Sequence, residues 1–194
     1  MHKIVIPGHL ILVVGPSGVG KDSILDLVKC ELSSQSHYIF PRRYITRPED
    51  AGGENHMPIT YEDFDVMKQV GKFAMSWQAH GQSYAISTND IKALEAGKNV
   101  VINTSRTMIN DCRQRFSNVS VISINASADI LMQRLYQRGR ETEEEITRRV
   151  QRASHYQVEG DDVHHINNDG ALQKSVQLFL SILENLKMDN VSKV

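Results

Sequence analysis

Lys21 closes a segment with glycines at 15, 18 and 20, and Asp22 and Ser23 follow it directly. This spacing puts one mobile cation and two oxygen-bearing side chains where a backbone curl meets the next element. An apolar run, Leu10 to Val14, leads in, and a helical pattern from Ile24 to Leu32 leads out. Strand, loop, lysine and helix together have the form of a phosphate-binding P-loop, Gly15-Pro16-Ser17-Gly18-Val19-Gly20-Lys21. Glycine lets successive N–H groups turn inward onto phosphate oxygens. The helix start adds its orphan donors and the positive end of its dipole. Lys21 then offsets the charge of a nucleotide's outer phosphates, and a nucleoside triphosphate is the expected ligand. A glycine-rich turn without chemistry is the competing reading, and it requires neither the flanking strand nor the lysine.

The residue after such a lysine is normally Ser or Thr, whose hydroxyl binds magnesium; here it is Asp22. A carboxylate is also a hard oxygen ligand for Mg²⁺. Ser23 supplies the next hydroxyl, turned about 100° around the helix. The metal contact is therefore expected at Asp22 or Ser23. The alternative is a plain helix-N-terminal carboxylate favoured by the dipole. The apolar run Asn99 to Asn103 ends without the aspartate that many P-loop enzymes keep there, which makes Asp22 the candidate replacement.

Arginines form two further clusters: Arg42, Arg43 and Arg47, then Arg138, Arg140, Arg148, Arg149 and Arg152. The planar guanidinium fork suits bidentate phosphate binding. For the second cluster a solvated helix is the plain alternative. Glu144–Arg148 and Glu145–Arg149 are i,i+4 pairs, each contributing about 0.3 kcal/mol. Downstream of a P-loop the chemical reading gains, because phosphoryl transfer needs cations around the moving group.

Elements that could position these residues are legible in the apolar pattern. Tyr38 to Phe40, Asn99 to Asn103 and Val119 to Asn125 read as buried strands. Thr107 to Phe116 and Ala128 to Gln137, the latter behind Ser127, read as helices. Strand–helix alternation implies a parallel sheet covered on both faces. A last helix, Ala171 to Met188, lines up Leu172, Val176, Phe179, Leu180, Leu183 and Leu186 for packing. Thr60 with Asp63 resembles a capping pair for a short helix that Gly71 ends. With 194 residues the chain is long enough for one substantial core. Its 22 basic and 23 acidic residues imply no attraction to nucleic acid or an anionic membrane. No apolar run reaches membrane-spanning length, and Pro7 and Gly8 interrupt the stretch Lys3 to Val14 that superficially resembles a signal peptide. Cys30 and Cys112 read as reduced thiols, so a cytoplasmic protein is expected. Trp77, His164 and His165 read as structural. The sequence leaves the oligomeric state open, a homodimer included.

On these residues the chain resembles the guanylate kinase family over almost its whole length. The P-loop matches; Thr46-Arg47-Pro48 resembles the segment whose arginine holds the acceptor phosphate. His80-Gly81-Gln82-Ser83-Tyr84 resembles the segment whose last tyrosine touches the same phosphate. Arg138-Gly139 and Ile146-x-x-Arg149 resemble the lid, and Asn167-Asn168-Asp169 the segment beside adenine. The resemblance implies a three-layer α/β/α P-loop fold with a parallel core sheet, in one domain. Its core would be 8–40, 98–136 and 155–188, its acceptor subdomain 41–97 and its lid 137–154. Lys21, Arg138 and Arg149 would act on the transferred phosphoryl group, and Asn168 would lie at the nucleotide, which the resemblance implies is ATP.

Departures from the family concern the base. Its guanine-reading serine position holds Arg43, its glutamate position Gln78, and a further hydroxyl position Ile86. Gln for Glu replaces an acceptor-only group with an amide that also donates, so guanine loses its matched anion. A site lacking such bonds discriminates by factors of roughly 10⁴. The segments Gly53-Glu54-Asn55-His56, Asn103-x-Ser105-Arg106 and Arg138-Gly139-Arg140-Glu141 further resemble the branch of the family that phosphorylates ribose 1,5-bisphosphate to 5-phosphoribosyl 1-diphosphate. That resemblance implies a phosphorylated sugar as the small-molecule partner, gripped by Arg47 and Tyr84, with Arg43, Arg106, His56 and Gln78 in the same pocket. A nucleoside monophosphate kinase with an altered base pocket, and a binding module without catalysis, are the alternatives.

Overall fold

The computed structural model describes residues 7–48, 54–139, 141–154 and 157–191. Arg140 and residues 49–53 of the polar loop expected at Glu49 to His56 lie outside the described residues. Strand β1 is Leu10–Val14, with all five residues buried, and helix α1 is Lys21–Glu31. Then come β2 (Tyr38–Ile39), β3 (Tyr44–Ile45), β4 (Met57–Pro58), α2 (Tyr61–Gln69), β5 (Phe73–Ala79), β6 (Gln82–Ser87) and α3 (Thr88–Ile91). The rest is β7 (Asn99–Asn103), α4 (Ile109–Arg115), β8 (Val119–Asn125), α5 (Ala128–Arg138), α6 (Glu143–Ser154), β9 (Val163–Asn167) and α7 (Leu172–Val191). One sheet runs β2-β7-β1-β8-β9, with β2 parallel to β7 and β8 parallel to β9. The expected strands and helices fall within a few residues of these bounds. The expected helix from Thr107 begins instead as a 3-10 turn at Arg106–Met108.

The chain divides into two compact units. The first comprises Met1–Leu12 and Gln35–Val119 and contains a second sheet, ordered β4-β3-β6-β5. Here β5 and β6 pair antiparallel with Ala79 opposite Gln82, leaving His80 and Gly81 as a two-residue turn. Both have positive φ, 52° and 73°, the requirement of a type I′ hairpin, so the His-Gly pair serves the turn. Trp77 and Tyr84 stack across this hairpin with ring centroids 5.5 Å apart. Thr60 caps α2 by accepting from the Asp63 N–H, and Gly71 ends the turn beyond it with φ 71°.

The second unit comprises Val13–Ser34 and Ser120–Val194. Helix α1 packs on α7, and α5 packs on α6. Leu131, Leu135, Ile146 and Val150 form the α5–α6 seam. Each fully buried side chain of this kind contributes roughly 1.5–3 kcal/mol. Val176, Phe179, Leu183 and Leu186 of α7 are buried as expected, joined by Ile182. His164 and His165 belong to β9, a strand the sequence pattern does not announce because the two histidines interrupt its apolar run. No helix among the described residues is long and apolar enough to cross a membrane.

Candidate active site

In the second unit the P-loop is held by close backbone approach. A Cβ at Gly15 would lie 2.2 Å from the Ile124 carbonyl oxygen, which excludes any side chain there. Gly20 caps α1 with φ 94°, and a Cβ there would meet the Asn168 amide nitrogen at 2.6 Å. Lys21 folds back over the loop, its Nζ donating to the Gly15 and Pro16 carbonyls at 2.8 and 2.9 Å. Gly18 and the buried Val19 lie between them. Asp22 and Ser23 are exposed in the first turn of α1. Among the described residues no group of three or more His, Cys, Asp or Glu side chains forms a metal cage. An exposed carboxylate beside a phosphate loop instead fits Mg²⁺, which is usually bound through one or two carboxylates, water and substrate phosphates.

Asn168 is held at both ends of its side-chain amide. It is 2 % exposed, its amide donates to the Val19 carbonyl at 2.8 Å, and its carbonyl accepts from the Ser175 hydroxyl. Asn168 thus braces the P-loop through Val19. Arg134 completes the brace, donating to the carbonyls of Val19 and Asn168 at 3.2 and 2.8 Å. It went unremarked in the sequence, although it lies one helical turn before Arg138 and so on the same face. Asp169 accepts from the Ser127 N–H at 2.6 Å, and that bond holds its carboxyl below the usual carboxylate range. Ser127 occupies the N-cap position of α5 without making a side-chain cap bond. A cavity of about 380 Å³ opens beside Pro16, walled by Ala126, Leu131, Val150, Ala153 and Val158 with His165 in its lining.

The lid arginines converge in the same unit. Gly139, with φ 64°, ends α5 after Arg138. Glu141, its side chain 3 % exposed, pairs with Arg138 and lies 3.2 Å from Arg149. Arg149 also donates to the Ser17 hydroxyl of the P-loop at 3.1 Å. Its expected i,i+4 partner Glu145 feels its charge and also caps the helix start. Thr142 and Glu145 form a capping box at the start of α6, and the Thr142 N–H lowers the Glu145 carboxyl below its usual range. The capping box is the larger influence on Glu145, and the charges of Arg149 and Arg148 add to it.

In the first unit the other candidates surround one carboxylate. Arg43 donates Nε and Nη2 to the two oxygens of Glu54 and Nη1 to the Asn103 carbonyl, and its guanidinium lies over the Tyr84 ring. Three of its five N–H donors are thereby used, one on each nitrogen, which leaves one on each terminal nitrogen for the expected phosphate contact. Both side chains are largely buried, and removing either charge would cost on the order of 3 kcal/mol. Arg47 lies 3.7 Å from the same carboxylate, with Nε and Nη2 buried and without hydrogen bonds among the described residues. Arg47 is the open fork.

His56 is 2 % exposed, and its ring nitrogens lie 3.0 and 2.9 Å from the carbonyl oxygens of Glu54 and Arg47. Both ring nitrogens thus face backbone carbonyl oxygens, and a neutral imidazole donates to one of them. Arg42 adds a bond to the His56 carbonyl. Gln78 is exposed on β5, Tyr84 is 8 % exposed, Ile86 is fully buried, and Arg106 is half-buried in the turn after β7. Glu54 and Glu141 are the functional candidates that motif reading passed over. Both stand in the quoted segments, but their partners come from chain pairing that spacing does not reveal.

The guanylate kinase family profile matches residues 8–185. The chain is 42 % identical over 176 residues to a protein of Agrobacterium fabrum named ribose 1,5-bisphosphate phosphokinase PhnN, covering 90 % of this chain and 96 % of that one. It is 43 % identical over 177 residues to a protein of the same name from Pantoea vagans, covering 91 % and 97 %. The crystal structure of guanylate kinase from Anaplasma phagocytophilum superposes with a TM-score of 0.63 at 16 % identity, covering 92 % of this chain and 85 % of that one, a likeness of fold alone. With its P-loop, five-stranded sheet and family profile in agreement, the chain belongs to the guanylate kinase family.

Proposed function

We propose that this chain is a kinase that transfers the γ-phosphoryl group of ATP to the 1-phosphate of ribose 1,5-bisphosphate, giving 5-phosphoribosyl 1-diphosphate and ADP. The single observation that carries the substrate is the state of the three positions where the family reads guanine. Arg43 is locked to Glu54, Gln78 is exposed, and Ile86 is buried. None offers the anion that guanine's N1–H and amino group require. The names of the relatives at about 40 % identity support the same acceptor.

An acceptor phosphate needs no general base, since its oxygen is already anionic near neutral pH. That oxygen forms a bond to the γ-phosphorus as the bond to the β,γ-bridging oxygen breaks, and ADP leaves with the electron pair. The P-loop N–H groups and Lys21 hold the β- and γ-phosphates; Lys21 exchanges its two carbonyl partners for phosphate oxygens. Arg138 and Arg149 offset charge on the transferred group, where fixed cations act most strongly. Mg²⁺, which would neutralise phosphate charge, would be held by Asp22 or by Ser23. Arg47 takes the acceptor phosphate, with Tyr84 and Arg106 as further contacts. The apolar cavity beside Pro16 suits the face of adenine.

Incubation of the protein with MgATP and ribose 1,5-bisphosphate, followed by ³¹P NMR, tests the reading. The expected outcome is the paired signals of a diphosphate on the sugar together with ADP. ADP formation only when GMP is supplied would overturn it.

A further inference from the structure

Glu54 places a carboxylate among the cations expected to meet an acceptor phosphate. A carboxylate repels phosphate and accepts hydrogen bonds without donating any. It therefore weakens an anion site unless the ligand brings a donor to the same place. Among the described residues Arg47 Nε and Nη2 are buried and make no hydrogen bond, and Glu54 Oε1 lies 3.7 Å from Nη2. A phosphate seated on Arg47 brings the atoms next to that phosphate against Glu54. On a phosphorylated sugar those atoms carry hydroxyl groups.

We infer that Glu54 is the specificity residue that reads the hydroxyl adjacent to the acceptor phosphate, the 2-hydroxyl of the ribose, and so selects a ribosyl over a deoxyribosyl acceptor. This rests on the proposed sugar bisphosphate kinase activity. Orientation of the carboxylate is fixed before any ligand arrives. The Arg43 fork takes one lone pair on each oxygen, and the remaining lone pairs stay available to a donor. Asn103 and Tyr84 hold Arg43 in turn, the first through its carbonyl and the second through its ring. The buried His56 ring sits between the Glu54 and Arg47 carbonyls, 3.0 and 2.9 Å from them, which sets the spacing between hydroxyl reader and phosphate fork. Supporting a binding group in this way is what a preorganised site requires. A mere brace for Arg43 would need none of the link to Arg47.

The test compares ribose 1,5-bisphosphate with 2-deoxyribose 1,5-bisphosphate as acceptors for MgATP, in the wild type and in Glu54→Gln. The wild type is expected to prefer the ribosyl acceptor by at least about 10²-fold in kcat/KM, because a site built for a hydroxyl rejects the analogue lacking it. In Glu54→Gln that preference should collapse to within about tenfold, mainly through a raised KM for the ribosyl acceptor. An equal fall for both acceptors, with the preference intact, would make Glu54 a brace and overturn the inference while leaving the kinase reading in place. Wild-type turnover of GMP with none on either sugar bisphosphate would overturn both. Thermal melting checks that the variant folds. Should it not, Glu54→Asp keeps the charge but withdraws the carboxylate by one methylene, and the same narrowing of preference is expected.

Discussion

Glu141 sits three residues after Arg138 and eight before Arg149, and its carboxylate meets both guanidinium groups. It holds the two lid cations together while Arg149 reaches Ser17. Glu141→Gln should therefore lower kcat by about 10- to 10²-fold, equivalent to about 1.4–2.7 kcal/mol of barrier, with KM for ATP within about threefold. Steady-state kinetics check this, and a change confined to KM would contradict it. The two cysteines differ as their surroundings dictate. Cys112 is fully buried against Met75, and desolvation pushes its thiol up to about 12, whereas Cys30 is exposed. Iodoacetamide at pH 8 should label Cys30 in the native protein and Cys112 only after unfolding, as peptide mass spectrometry would report. At this scale the phosphate loop was legible because its chemistry lies within consecutive residues. Arg43 was legible as a departure from the family's guanine-reading serine but not as a partner of Glu54, because that contact depends on β3 and β4 lying side by side.

The elements that carry these residues are set by caps and turns more than by apolar runs. Helix α6 is polar over most of its surface, and the Thr142–Glu145 capping box fixes its start. Thr142→Ala should cost about 1 kcal/mol and speed amide exchange in the first turn of α6, measured by hydrogen exchange. Unchanged exchange would remove the capping argument. Asn168→Ala, which strips the brace between α7 and the P-loop, should cost about 1–3 kcal/mol in stability and leave the preference for ATP over GTP unchanged. Long, buried elements such as β1, β8 and α7 announced themselves by periodicity. The four-stranded sheet did not, since β3 and β4 are two residues each and the β5–β6 hairpin turns on His80-Gly81, legible in the sequence only as part of the segment that carries Tyr84.

Across the whole molecule, stability should decline at both ends of the pH range. Asp169 and Glu145 have carboxyls held below their ordinary values of 3.8 and 4.5, so each adds stability at neutral pH that is lost as pH falls through its folded value. Cys112 works in the other direction: its contribution is complete below 9.0 and is withdrawn as pH rises toward about 12. Melting temperature against pH should show both limbs, with Asp169→Asn flattening the acid one and Cys112→Ala the alkaline one. The fold class was legible from strand–helix alternation, and the family from motifs spread along the chain. The tethering of nearly every candidate cation to a carbonyl or carboxylate was not, because such pairing is a product of the fold. The central claim is that charge and hydroxyl recognition have replaced purine recognition in the acceptor site. One coupled ADP-release assay tests it most directly, with kcat/KM for ribose 1,5-bisphosphate and for GMP measured on the same preparation. The account predicts a preference for the sugar bisphosphate of at least about 10³-fold; a comparable or higher value for GMP would contradict it.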